Sequence, residues 1–188
     1  MKDIIRDEFN QHLIVASSLE SLVDDIAKSA ELCINCLKNG GKILIFGNGG
    51  SAADAQHIAA ELVGRYKANR KGLSAIALTT DTSAITSIAN DFEFSNIFDR
   101  QVEALANEKD IVIGISTSGQ SKNVISALKV AKQLDCITIG LSGNNGLLMN
   151  EVCDVNNLVK SNDTPRIQEI HILLGHTLCH LIDIAFNQ

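Results

Sequence analysis

His57 and Glu61 stand four residues apart, a short distance after the loop Gly47-Asn48-Gly49-Gly50-Ser51. At helical spacing an i, i+4 pair shares one face. An imidazole and a carboxylate on one face can move protons or hold a divalent metal. They can equally form a salt bridge on a solvated face, with Arg65 one turn on pairing Glu61. The glycine loop has chemistry of its own. It follows an apolar run at 42–46 and opens a helical pattern. Free N–H groups and a positive dipole end there suit a phosphate or a polar sugar.

A second loop, Ser116-Thr117-Ser118-Gly119-Gln120-Ser121, also follows an apolar run and leads into a helical pattern. Hydroxyls and backbone N–H groups can hold a phosphate dianion without Lys or Arg. Ser and Thr also favour turns and N-caps, but three Ser and one Thr in this short loop favour phosphate. GxxxxGK[ST] is absent, so the loop is not a P-loop. Toward the C-terminus, Gln168, Gly175, His176 and Cys179 fall on a related helical stripe. His171 and His180 lie off it and are expected at the surface or facing a partner. A buried His beside a Gly is often only a hydrogen-bonded core residue. Asp54, one turn before His57, could orient that ring.

The elements that must position these residues alternate. Short, uniformly apolar runs at 42–46, 75–78, 111–115 and 136–141, with a weaker one at 155–159, read as parallel strands covered on both faces. Helical patterns separate them at 51–67, 82–106 (with a break near Asp91–Ser95) and 121–134. A last helix is expected at about 165–187, capped by Thr164 with Pro165 in its first turn. Residues 2–38 are helical, as one helix or two, and stop at Gly40-Gly41. The pattern predicts a three-layer α/β sandwich with a five-stranded parallel sheet. Residues 1–188 are expected as one domain, with 1–40 an N-terminal helical arm whose apolar faces a small sheet cannot all cover. Such folds bind ligands at the carboxyl ends of the strands.

Composition narrows the function. The 188 residues carry a formal net charge of −6, which disfavours a nucleic-acid backbone as main ligand. A charged N-terminus and no apolar run near the ~20 residues of a membrane span predict a cytoplasmic protein. Five scattered cysteines then stay reduced, and Cys33-Ile34-Asn35-Cys36 is expected to be helix packing rather than a redox or metal motif.

Together the stretch Gly47–Arg65, the segment Ala77–Ser83, Asn90-Asp91, Gly114–Ser121 and Arg166–His171 with His176 resemble the phosphoheptose isomerases. The likeness runs from about residue 40 to the end. It implies the sugar isomerase (SIS) fold. It also implies conversion of sedoheptulose 7-phosphate to D-glycero-D-manno-heptose 7-phosphate, a first step toward bacterial surface heptose in lipopolysaccharide or capsule. By the same resemblance Asn48, Gly49, Gly50, Ser51, Asn90 and Asp91 line the sugar. Ser116, Thr117, Ser118 and Ser121 hold the phosphate, and Glu61 and His176 transfer protons. His57, Glu61, Gln168 and His176 bind zinc, with Glu61 and Gln168 also meeting substrate. A homotetramer with active sites at subunit contacts is expected. Gln120 stands where the family often has Asn.

Two difficulties come with these roles. A Glu held tightly by zinc is a poor base, and Gln is an unusual zinc ligand. A different class of function is a non-enzymatic binding protein of the same fold, like the DnaA-initiator-associating protein, but a pure binding module has no need for Glu61, Gln168 and His176 together. A phosphosugar-sensing regulator would carry a DNA-binding module for which 188 residues leave no room.

Overall fold

The computed structural model describes residues 1–143 and 146–187. Five parallel strands form one sheet: β1 (Ile43–Gly47), β2 (Ala75–Ala77), β3 (Ile111–Ser116), β4 (Ile137–Gly143) and β5 (Val155–Val159), in the order β2-β1-β3-β4-β5. Ile43 pairs Ile111, and Ile111 pairs Ile137, so three apolar strands run in step through the centre. Their side chains alternate between two cores. Ile43, Ile45, Ile111 and Ile113 join the layer of α2 (Val23–Lys38), α3 (Gly50–Val63) and α8 (Thr164–Phe186). Leu44, Phe46 and Val112 join that of α5 (Asp99–Leu105), α6 (Lys122–Gln133) and α7 (Leu147–Val152). Both faces are covered, which is why the strands read as unbroken apolar runs.

The expected elements are present, with shifted edges. The break near Asp91–Ser95 separates α4 (Thr82–Asp91) from a 3-10 turn at Phe94–Asn96 and then α5. The N-terminal segment is two helices, α1 (Lys2–Ala16) and α2. No residue of α1 is buried, though it lies against α8 through Glu8–Arg166 and His12–Glu169, whereas Ile26, Ala30, Cys33 and Cys36 of α2 are core. Cys33 and Cys36 pack in the core, and burial raises the thiol pKa of Cys36 to about 11 and that of Cys33 further.

Four expectations are corrected. The N-cap of α8 is Asp163, and Thr164 is already helical. His171 is fully buried rather than at the surface, because the buried stripe of α8 includes Ile167, Ile170, Leu174 and Leu178 as well. Its burial lowers its pKa to about 4, so the ring is neutral. α8 itself is long and apolar enough, by length and composition, to cross a membrane. Here it is packed against α2 and α3, with Arg166 and Asp183 among its buried residues. Finally, α7 is a helix the apolar pattern did not signal.

Candidate active site

β1 runs straight into the glycine turn. Gly49, with φ of 56°, takes the left-handed conformation that ends the strand and starts α3. His57 and Glu61 then share one face of α3, with His57 Nε2 3.3 Å from Glu61 Oε1. α8 lies close along α3 because Gly175 has no side chain: a Cβ there would sit 2.7 Å from Ile58 Cδ1. That approach brings His176 Nε2 to 2.9 Å from His57 Nε2. Of two facing ring nitrogens at this distance one donates and the other accepts, so at least one of them carries a lone pair. Arg65 makes no ion pair with Glu61 among the described residues. Asp54 makes no hydrogen bond to His57 either: its Oδ2 is buried without a partner, and burial raises its carboxyl pKa against the pull of His57. The expected orienting role of Asp54 is therefore not seen.

The three donor atoms of His57, Glu61 and His176 all lie within 4.8 Å of one another. A tetrahedral ion with bonds of about 2.0–2.1 Å sets its donors roughly 3.3 Å apart. The observed spacings thus fit a zinc-type ion, and two imidazoles with one carboxylate leave a fourth position open for substrate. Gln168 is elsewhere. Its Nε2 would lie 2.6 Å from a Cβ on Gly50, at the start of α3. On α8 it is two turns, on the order of 12 Å, from His176. The structure sets its amide against the glycine turn.

At that turn the second half of the site assembles. The strand order reverses between β1 and β3, the place where open α/β sheets leave a crevice. Asn48 and Asn123 exchange amide hydrogen bonds of 2.9 and 2.8 Å across it. Ser116 Oγ meets Ser121 Oγ at 2.9 Å, and Ser118 Oγ accepts from the Gln120 N–H. Ser121 is the N-cap of α6, yet its hydroxyl makes no capping bond, and the Val124 N–H donates to Asn123 Oδ1 instead. Thr117 is half-buried and Ser118 and Lys122 exposed, while Ser51 is buried at the start of α3. A cleft of about 410 Å³ is lined by Asn48, Glu93, Phe94, Ser95, Ser121, Lys122 and Asn123. Asn90 and Asp91 do not line it: they sit at the exposed end of α4, hydrogen-bonded to each other.

The two halves are not side by side in one chain. Gly50 and Glu61 are at opposite ends of α3, about 16 Å apart at helical rise. Leu62, next to Glu61, accepts from the N–H of Leu73 just before β2, so Glu61 belongs to the amino edge of the sheet. The serine loop belongs to its carboxyl edge. The expectation of an acid/base pair next to the phosphate loop is corrected within the chain, for the simple reason that a helix returning along a sheet separates its ends.

Three groups escaped the reading of motifs. Asn123 acts through a partner 75 residues away, a relation that no local pattern signals. Tyr66, the sole tyrosine, stacks on His176 with ring centroids 5.6 Å apart. Its isolation in an aromatic-poor chain, five residues after Glu61, was the available signal. Arg70 donates to the Glu61 and Leu62 carbonyls and to Asp183, all near the end of α3.

Comparison with known proteins agrees with this architecture. The SIS domain family model matches residues 10–143. The chain is 59% identical over 184 residues to the phosphoheptose isomerase of Aliarcobacter butzleri (strain RM4018), covering 97% of each. It is 59% identical over 186 residues to phosphoheptose isomerase 1 of Campylobacter jejuni subsp. jejuni serotype O:2, covering 99% of this chain and 100% of the relative. The solved phosphoheptose isomerase from Neisseria gonorrhoeae superposes with a TM-score of 0.92 at 45% identity, over 97% of this chain and 98% of that one. With matches this extensive in sequence and in three dimensions, the chain belongs to the phosphoheptose isomerase family of SIS-domain enzymes.

Proposed function

We propose that the protein interconverts sedoheptulose 7-phosphate and D-glycero-D-manno-heptose 7-phosphate through an enediol, supplying heptose for a bacterial surface polymer. The observation that carries this reading is the convergence of Glu61 and His176, from separate helices, on His57. Isomerisation needs a base at carbon, a proton shuttle between two oxygens and relief for an oxyanion. Glu61 takes the proton from C1 of the ketose and returns it at C2. His176 passes a proton between O1 and O2. Zinc or a similar divalent ion, one per subunit, would be held by His57, Glu61 and His176 and would supply the Lewis acid for the developing oxyanion. Gln168, placed against Gly50 in the half of the site that a second subunit supplies, meets the substrate there and would reach the ion from that subunit.

Ser116, Thr117, Ser118 and Ser121, with the N-terminus of α6, hold the phosphate. Asn48, Gly49, Gly50 and Ser51 line the sugar, and Asn90 and Asp91 approach it from α4. An extended seven-carbon phosphate is too short to bridge Glu61 and the serine loop of the same chain, so each site takes its two halves from different subunits of a homotetramer. The exposed apolar residues of α1 (Ile4, Phe9, Leu13 and Ile14) support that assembly. Five unpaired cysteines suit a reducing, cytoplasmic setting. The test is turnover of sedoheptulose 7-phosphate by the purified protein. Glu61→Gln and His176→Gln each abolish it while circular dichroism and melting stay near wild type. Undiminished rates in either variant would remove the proposed proton-transfer pair.

A further inference from the structure

The His176 imidazole is held on two sides. The His57 ring meets it edge-on, with centroids 5.0 Å apart and planes at 71°. The Tyr66 ring lies over it nearly parallel, at 5.6 Å and 26°. Tyr66 also meets the His180 ring, one turn further along α8, at 6.0 Å, and the Lys67 ammonium lies 5.3 Å from the Tyr66 centroid. A tyrosine on a connecting segment can hold such a position only if the segment is fixed.

It is fixed by one buried carboxylate. Asp183 of α8 accepts from the backbone N–H groups of Lys67 and Ala68 at 2.8 and 2.7 Å, directly after Tyr66, and from Arg70 Nε at 2.6 Å. Arg70 in turn donates to the carbonyls of Glu61, Leu62 and Lys71. The end of α3 that carries Glu61, the segment that carries Tyr66 and the helix that carries His176 are thus tied at one point.

We infer that Tyr66 is a positioning residue: its ring fixes the plane of His176, so that Nε2 faces His57 and Glu61. This rests on the role proposed above for His176. The ring face does the positioning, so the phenolic hydroxyl is dispensable and aliphatic bulk is no substitute. The full-length protein is compared with Tyr66→Phe and Tyr66→Leu by three measurements. They are steady-state kinetics, Co2+ affinity in competition with a coloured chelator, and the ring-current shift of the His176 carbon-bound ring protons in metal-free protein. Tyr66→Leu is expected to lower kcat about tenfold or more with KM changed by less than about twofold. It is expected to weaken Co2+ binding about three- to tenfold, the worth of one aromatic pair. Tyr66→Phe is expected to match wild type in both, and the His176 shift persists in it and vanishes in Tyr66→Leu.

Wild-type kcat and Co2+ affinity in Tyr66→Leu would overturn the inference, and so would a Tyr66→Phe as impaired as Tyr66→Leu. If the wild-type protein fails to turn over sedoheptulose 7-phosphate, the proposed function falls, while the Co2+ and ring-current measurements still decide the stack. If wild-type protein takes up no Co2+, an identical His176 shift in all three proteins overturns the inference. Tyr66→Met repeats the test should Tyr66→Leu melt below the assay temperature.

Discussion

A hydroxyl that donates to a phosphate oxygen is worth more than its size, because the acceptor is charged. Losing one such donor costs about 1.5–3 kcal/mol of binding. Ser118→Ala and Ser121→Ala are therefore expected to raise KM about tenfold or more. Lys122 is exposed at the first position of α6, and Lys122→Ala is expected to do much less. Steady-state kinetics on the three variants rank them, and a crippled Lys122→Ala beside intact serine variants would reverse the assignment. At this scale the sequence was legible wherever function resides in type and local spacing, as in His57 with Glu61 or the serines of one loop. It was silent where a residue works only through a distant partner. Asn123 is one asparagine among many until the fold brings Asn48 against it, and His171 looked like a surface residue until the stripe of α8 was seen.

Elements carry the stability that these residues depend on. The strands were readable because a doubly covered parallel sheet leaves continuous apolar runs, whereas helix ends depend on single hydrogen bonds, and the start of α8 was misplaced by one residue. The buried pair of Arg70 and Asp183 was not readable at all, since its partners are 113 residues apart. Arg70→Met leaves the Asp183 charge buried with two backbone donors only, and is expected to cost about 3–5 kcal/mol of unfolding free energy in urea. Two groups on α8 set opposite ends of the acid limb. Burial depresses the His171 pKa from 6.5 to about 4. Its contribution is complete above 6.5 and is lost as pH falls from 6.5 toward 4, with a slope near 1.4 kcal/mol per pH unit. For Asp183 burial raises the pKa, but the Ala68 and Lys67 amides and Arg70 outweigh it and hold the carboxyl below its usual 3.8. Its contribution is therefore lost only in stronger acid. Urea melts from pH 7 to 3 are expected to show the upper limb flattened in His171→Leu and unchanged in Asp183→Asn. An unchanged slope between pH 6.5 and 4 in His171→Leu would show that another group takes up the proton.

The whole molecule decides whether the two halves of the site ever meet. One chain puts Glu61 and His176 at the amino edge of the sheet and the serine loop at the carboxyl edge. α1 is tied to α8 through Glu8–Arg166 and His12–Glu169, yet leaves Phe9 66% and Leu13 62% exposed. Phe9→Glu with Leu13→Glu is expected to shift light scattering from the proposed tetramer toward smaller species and to remove turnover with it. Assembly alone does not prove that sites are shared, and complementation does. Glu61→Gln lacks the base but keeps its phosphate loop, and Ser118→Ala/Ser121→Ala has the opposite defect. If each site draws the base from one subunit and the loop from another, mixed oligomers contain some sites with both intact. Random assembly at equal amounts gives about a quarter of the sites intact. Co-expressed and co-purified through two different tags, the pair is expected to recover close to that fraction of wild-type kcat at low substrate. Each variant alone stays near zero under the same conditions. Recovery no greater than the mean of the two separate variants would place the complete site within a single chain. It would then require α3 and the serine loop to approach each other by a movement that this fold, with α3 pinned between the sheet and α8, opposes.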